Sequence, residues 1–417
     1  MMIGRERVLR ATSFKQTDRV PKDLGGMAST GISCFAYPRL VKALGLPPRL
    51  PRVHDTAQML ALPDTDVLDA LGCDVVTVFW NCTNAYEEPR KWRRFDFGGR
   101  LDARVRSPRS FRVLPGGVIE QPKWKIKMPP SAVVFNADHA GQNLDIMDED
   151  EMPLKDLKKL REKLARQLPK PEEITRIREL CDRVRHSTDR AVFYNGPGVS
   201  EIAISGHGGM AVFPMICLLH PDYVMEYHEI MTRQVVTKLE MVLPEIRDFV
   251  DVILLGGDDW GTQCDTIASP KIFNDLFAPF YKQMNETAHR LAPNTKTFMH
   301  SCGAIFNILD GMIESGFDIL NPVQWTAGGR SFREWKNKCH GRIALWGGGV
   351  NTQQTLPLGR VEDVEREVRE IVACLSDGGG YVFNAIHNLL AEVTPEKVIA
   401  MYRAADEAGS PVTRCKL

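Results

Sequence analysis

Eight short apolar runs, separated by longer amphipathic or irregular stretches, constrain the fold of this chain more than any other feature of it. They occupy residues 20–25, 74–80, 191–196, 250–257, 296–301, 318–323, 343–348 and 381–385. Several are apolar almost throughout, as parallel strands covered on both faces must be. Helical periodicity runs through 55–72, 156–189, 221–247, 270–291, 304–315, 332–339, 361–375 and 395–408. Strand and helix alternating eight times predict an α/β fold, a (β/α)8 TIM barrel rather than an open doubly wound sheet. No Gly-x-Gly-x-x-Gly follows the first run, which argues against a dinucleotide-binding sheet. Residues 1–417 read as one such domain.

One region breaks the alternation. Residues 81–150 carry "RKWRRFDFGGRLDARVRSPRSFRV" and "PKWKIKMP", alternating segments joined by Gly and Pro, and predict a β-rich insertion or lid at the barrel mouth. Between residues 89 and 127 it holds twelve Lys or Arg against three Asp or Glu. A solvated surface accounts for that excess, and so does a docking face for an acidic partner.

Over the whole chain 53 basic residues balance 53 acidic ones, which gives no general reason to expect nucleic acid or an acidic membrane as partner. No stretch approaches the roughly 18–20 uninterrupted apolar residues of a membrane span, and the charged start lacks a signal-peptide core, so a cytoplasmic location is expected. The ten cysteines are scattered without a Cys-x-x-Cys pair, as reduced thiols would be.

In a barrel, chemistry gathers where the strands end. The fifth run ends in "MHSCG", and His300 and Cys302, two apart, leave a strand end on the same side, where imidazole and thiolate together suit zinc. A hydrogen-bonded core pair is the competing reading. Catalytic zinc takes three protein ligands, so a third must come from elsewhere; His387, in the eighth "FNAIHN", is best placed, ahead of Asp258, Asp259 or Cys264. Asp258 and Asp259 are adjacent and cannot both point inward from a regular strand, and Asp259 is the candidate cavity acid. Asn195, Gln263, Asn321, Gln324 and Asn384 stand at or just beyond strand ends as candidate substrate-binding residues. The "WGGGVN" of the seventh run, residues 346–351, reads as a tight turn more readily than as a phosphate cradle. Glu201 and His207 follow the third run and border the expected cavity, whereas His220 reads as a cap and Tyr223, Tyr227 and His228 as one packing face.

The ordered motifs "RERVLRATSFKQTDRVPKDLGG", "GDDWGTQ", "HSCGAI", "LDGMIESGFDILNPVQ", "LWGGGVNTQQTLP" and "GGGYVFNAIHNL" resemble the uroporphyrinogen decarboxylase superfamily, and within it the cobalamin-dependent methyltransferase branch. The resemblance runs from Arg5 to about Ala408, the insertion apart. It implies a single (β/α)8 barrel in which self-association is common. It also implies a zinc site at His300 and Cys302, and a corrinoid protein or free cobalamin as partner, since no Asp-x-His-x-x-Gly corrinoid motif stands in this chain. The methyltransferases take a further ligand from a last-strand cysteine; this sequence has none there, and His387 is the nearest residue able to serve. Decarboxylases of the superfamily hold their polycarboxylate tetrapyrrole with arginines after the first strand, whereas "LGGMASTGISCFAYPR" has no basic residue before Arg39.

The leading expectation is therefore a zinc-dependent, corrinoid-linked methyltransferase acting on a small methylated substrate, of which a methyl ether, hence O-demethylation, is an example. Asp259 would protonate the leaving atom, with Asp258 and Gln324 orienting the substrate. The alternatives are a metal-free carboxy-lyase using His387 and Asp259, and a barrel retained for binding without chemistry.

Overall fold

The computed structural model describes residues 2–135, 152, 154–196 and 209–409. Its centre is a curled sheet of seven parallel strands, in chain order Val75–Phe79, Ala191–Asn195, Val252–Gly256, Lys296–His300, Ile319–Asn321, Ala344–Trp346 and Tyr381–Val382. Each pairs with the next in sequence, and helices return the chain between them. The first apolar run, 20–25, forms no regular strand. Its backbone nevertheless touches both edges of the sheet: Asp74 N donates to Lys22 O (2.7 Å), Asp23 N to Phe383 O (2.9 Å) and Phe383 N to Pro21 O (2.8 Å). Pro21 lacks an N–H, so an unbroken ladder cannot form there.

The strand residues divide by parity into two cores. Val75, Ala191, Phe193, Val252, Phe298, Ile319, Ala344, Trp346 and Val382 fill the interior together with Val8 and Met27. Phe193, Phe298 and Trp346 meet there with ring centroids 4.8–5.8 Å apart. The alternate strand residues, among them Val76, Val192, Ile253, Met299 and Leu345, pack outward against the helices. Side chains on a strand repeat every second residue, so Asn195, His300, Asn321 and Asn384 continue the inward parity one step above Phe193, Phe298, Ile319 and Val382. The site is thus the next layer of the barrel interior, polar where the layers beneath are apolar.

Helices Phe332–Cys339 and Val361–Leu375 coincide with the expected spans, and 156–189 divides into Leu157–Ala165 and Pro171–His186. The helix expected over 55–72 is confined to Thr65–Ala70. Ahead of it, Leu60–Ala61 pairs antiparallel with Ile32–Ser33 and with Val53–Asp55. Pro63 removes a donor, and a distant partner strand takes up apolar residues whose spacing also suits a helix. Between 93 and 128 lie a two-stranded ladder, Arg93–Asp96 with Asp102–Val105, and a three-stranded one, Arg112–Val113, Ile119–Gln121 and Ile126–Met128. Residues 136–150 of the expected insertion lie outside the described residues, as do Glu201 and His207. Among the described residues no helix is long and apolar enough to cross a membrane.

Candidate metal centre

His300 closes its strand with the ring held from one side and open on the other. Its Nδ1 lies 2.7 Å from Asn321 Oδ1. The Asn321 amide is oriented in turn, because its Nδ2 donates to Trp346 O at 2.8 Å. With the amide oxygen facing the ring, Nδ1 must carry the proton, and Nε2 is left with its lone pair. That lone pair faces Cys302 Sγ at 3.4 Å, Ser29 Oγ at 3.3 Å and Asp259 Oδ1 at 3.6 Å. The His387 ring approaches from the last strand end, its centroid 6.1 Å from that of His300.

Cys302 is placed by backbone geometry. Gly261 N donates to Cys302 O (3.1 Å), Asp259 Oδ1 accepts from Cys302 N (2.8 Å), and Gln324 Oε1 accepts from Gly303 N (2.7 Å). Gly303 has φ +90°, and a Cβ there would come within 2.1 Å of Gly261 O, so only glycine lets the two loops approach this closely. The outcome is a cluster in which His300, Cys302 and His387 each offer a ligand atom, all within 4.8 Å of one another.

Electrostatics prepares the cluster unevenly. Burial above all lowers the His387 pKa to about 4, so this imidazole is neutral above that pH and presents a lone pair. Burial also pushes the Cys302 thiol up, and the Asp259 carboxylate pushes it further in the same direction. A nearby cation is what would turn this thiol into a thiolate.

The remaining predicted residues fall into distinct places. Asp258 is buried and its Oδ2 accepts from Tyr281 OH (2.7 Å), while the half-exposed Asp259 faces the cluster. Asn195 donates to Gly26 O and Thr77 Oγ1, and Asn384 to Asp23 O; the Oδ1 of each is shielded from solvent and has no hydrogen-bond partner among the described residues. Asn321 has both amide ends engaged in orienting His300. Gln263 and Cys264 are exposed and stand apart from the three ligand atoms.

Two residues beside the site escaped the sequence reading. Ser29 reaches His300 from the short turn Ala28–Thr30, and a small hydroxyl in "MAST" gives no sequence signal. Asp23 is fully buried under the mouth, where its carboxylate accepts from Trp346 Nε1 (2.9 Å) and Gly26 N (2.8 Å). Burial raises its pKa to about 6. An acid next to Lys22 in an otherwise apolar first run was the available clue.

A family model described as uroporphyrinogen decarboxylase (URO-D) matches residues 128–408. A uroporphyrinogen decarboxylase from Methylococcus capsulatus (strain ATCC 33009 / NCIMB 11132 / Bath) is 33% identical over 99 residues, covering 24% of this chain and 26% of that protein. The matched segment therefore spans about a quarter of that relative's length. Among solved structures, a methyltransferase from Methanosarcina mazei is 15% identical with a TM-score of 0.48, covering 98% of this chain and 99% of that one. A GH10 endoxylanase retrieved from a sugarcane soil metagenome is 9% identical with a TM-score of 0.33, covering 54% and 81%.

Proposed function

The chain belongs to the uroporphyrinogen decarboxylase family, and from that premise we propose that it is a zinc-dependent methyltransferase that moves a methyl group between a small methylated substrate and a corrinoid carried by a separate protein. The observation that supports this most is the convergence of His300, Cys302 and His387 within 4.8 Å at the strand ends. Two imidazoles and one thiol suit zinc by donor type, and three protein ligands leave a fourth position for substrate. The lone pair held toward the cluster by the Asn321 contact also suits a metal, since ligating histidines ordinarily donate their other nitrogen to a fixed acceptor. When bound there, zinc would act as a Lewis acid toward a departing oxygen or would lower the pKa of an acceptor thiol.

The chain's own residues supply the rest. Asp259, facing the cluster, passes a proton to the leaving atom. Asp258, through Tyr281, fixes the loop from which Asp259 projects. The Oδ1 atoms of Asn195 and Asn384, which have no partner among the described residues, accept hydrogen bonds from substrate, and Gln324 keeps Cys302 in place through Gly303. In this reading residues 1–417 form one barrel whose β-rich insertion, 81–150, covers the mouth, and a methyl ether is a suitable donor. A porphyrin decarboxylase would need counter-charges near the mouth, and the loop that follows the first run offers none between Lys22 and Arg39.

The test is incubation of the protein with reduced cobalamin and a panel of methyl ethers, methylamines and methyl thioethers, following the cobalt spectrum. Methylcobalamin forming with one class, and failing to form with Cys302→Ala, supports the reading. Silence throughout, in both directions of transfer, contradicts it.

A further inference from the structure

A cavity of about 420 Å³ opens beside helix Pro171–His186, and nothing above uses it. That helix forms one wall, and the segment 82–91, which follows strand Val75–Phe79, forms the other. None of the three metal-cluster residues lines it, nor does Ser29 or Asp259. On the helix, Arg176, Leu180, Arg183 and Val184 face the cavity. Their spacing, i, i+4, i+7 and i+8, sets them on one stripe. Leu180 and Val184 are buried and, with Tyr86 from the other wall, give the cavity an apolar lining between two arginines.

The charges around this lining do not balance. Its two acids are already matched within the segment 82–106: the buried Glu87 accepts from Trp92 Nε1 (3.1 Å) and Arg106 Nη2 (2.7 Å) and lies 3.6 Å from Lys91 Nζ, while Glu88 pairs with Arg90. Arg176 and Arg183 are left over, and neither has an ion-pair partner among the described residues. The same helix does pair arginines that point elsewhere, Arg178 with Glu245 (3.7 Å) and Arg185 with Asp251 (2.7 Å). The two cations that face the cavity are thus the ones without a counter-charge. On a flat surface water would solvate them. In a concave site with apolar walls, like charges raise the local potential and draw in an anion.

We propose that this cavity is a second binding site, for an organic phosphate with a planar or apolar body. The body lies against Tyr86, Leu180 and Val184, and the phosphoryl group is held between Arg176 and Arg183. These arginines stand two turns apart, about 10.5 Å along the helix axis, and their long side chains reach a group placed between them. A carboxylate offers two oxygens and satisfies one guanidinium fork, whereas a phosphate monoester carries nearly two charges and three acceptor oxygens and engages both. The site stands independently of the methyl-transfer reading, since it shares no residue with the metal cluster.

Titration calorimetry of the full chain with adenosine monophosphate (AMP) tests this. AMP should bind saturably, and about tenfold or more tightly than either adenosine, which has the body without the charge, or ribose 5-phosphate, which has the charge without the planar body. Arg176→Gln and Arg183→Gln, both at exposed positions that pose no folding problem, should each weaken AMP about tenfold, the scale of one lost hydrogen bond to a charged group. Arg178→Gln, on the same helix but outside the cavity, should leave the affinity unchanged. The doubly substituted His300→Ala, Cys302→Ala protein should also bind AMP as the parent does, so that loss of the metal leaves this result standing. Absence of saturation up to millimolar AMP, equal affinity for adenosine, or a loss with Arg178→Gln as large as with Arg176→Gln would each overturn the proposal.

Discussion

The two ends of the barrel spend their polar residues differently. At the end where the strands begin, every inward or rim carboxylate named here meets a cation. Asp74 binds Arg7 (2.6 Å) and Arg19 (2.8 Å), Asp251 binds Arg5 and Arg185 (both 2.7 Å), and Asp318 binds Lys296 (2.9 Å) and His289 (2.8 Å). Each of these acids stands immediately before a strand and also accepts from a backbone N–H: Asp74 from Lys22 N (2.9 Å), Asp251 from Val192 N (2.8 Å) and Asp318 from Thr297 N (2.9 Å). Where the strands end, the polar groups are left waiting. His300 Nε2 faces a thiol, and Asn195 and Asn384 keep buried acceptors that meet no donor among the described residues. A closed network of charges holds the strands in register; an open set of donors and acceptors costs stability and is intelligible only if something binds to it.

Substitutions at the two ends should therefore behave as opposites. Asp74→Ala leaves the buried Arg7 guanidinium without its inner partner, so chemical denaturation should report a loss of about 3–5 kcal/mol, with metal uptake by the folded protein unchanged. A loss below 1 kcal/mol would deny the strand-start network its structural role.

The next largest effect lies between the two ends, at Asp23. Its pKa rises on folding from 3.8 to about 6, so the folded chain holds a proton that the unfolded chain has already released across that window. Stability is therefore favoured below the unfolded value and falls as pH rises through the window, by about 3 kcal/mol in all, and Asp23→Asn should flatten this slope. Equal slopes for both proteins, from denaturant titrations at pH 4 to 7, would place the titration elsewhere.

At the open end, Asn321→Ala frees the His300 ring and should raise the zinc dissociation constant about 10- to 100-fold by competition with a chromogenic chelator. An unchanged constant would mean that Asn321 does not orient the ligand. The smallest effect is expected at the surface: Arg94 and Asp102, both in the solvated two-stranded ladder, pair across it, and Asp102→Ala should leave the unfolding midpoint where it was.

Much of this architecture was legible in the sequence because both strands and site obey a short period. A parallel strand buried on both faces announces itself as an apolar run, and seven of the eight runs contain strands whose bounds lie within three residues of those expected. The same period of two set His300 and Cys302 on one side of the fifth strand end, and His387, singled out because it follows the last strand, offers a ligand atom within 4.8 Å of theirs. What the sequence concealed depends on distant partners. The pairing of Leu60–Ala61 with Ile32–Ser33 turned an expected helix into strand. Gln263 stands near a strand end in sequence but is exposed in space. Ser29 reaches the cluster across 271 residues of chain, and no local pattern encodes such a contact.

The central claim is that His300, Cys302 and His387 form one metal site, and metal stoichiometry tests it most directly. Purified protein dialysed against buffered zinc should retain one equivalent by plasma mass spectrometry. His300→Ala, Cys302→Ala and His387→Ala should each fall well below one equivalent while keeping the unfolding transition of the parent. Zinc retained at full stoichiometry by all three variants, or absent from the parent protein, would contradict the account.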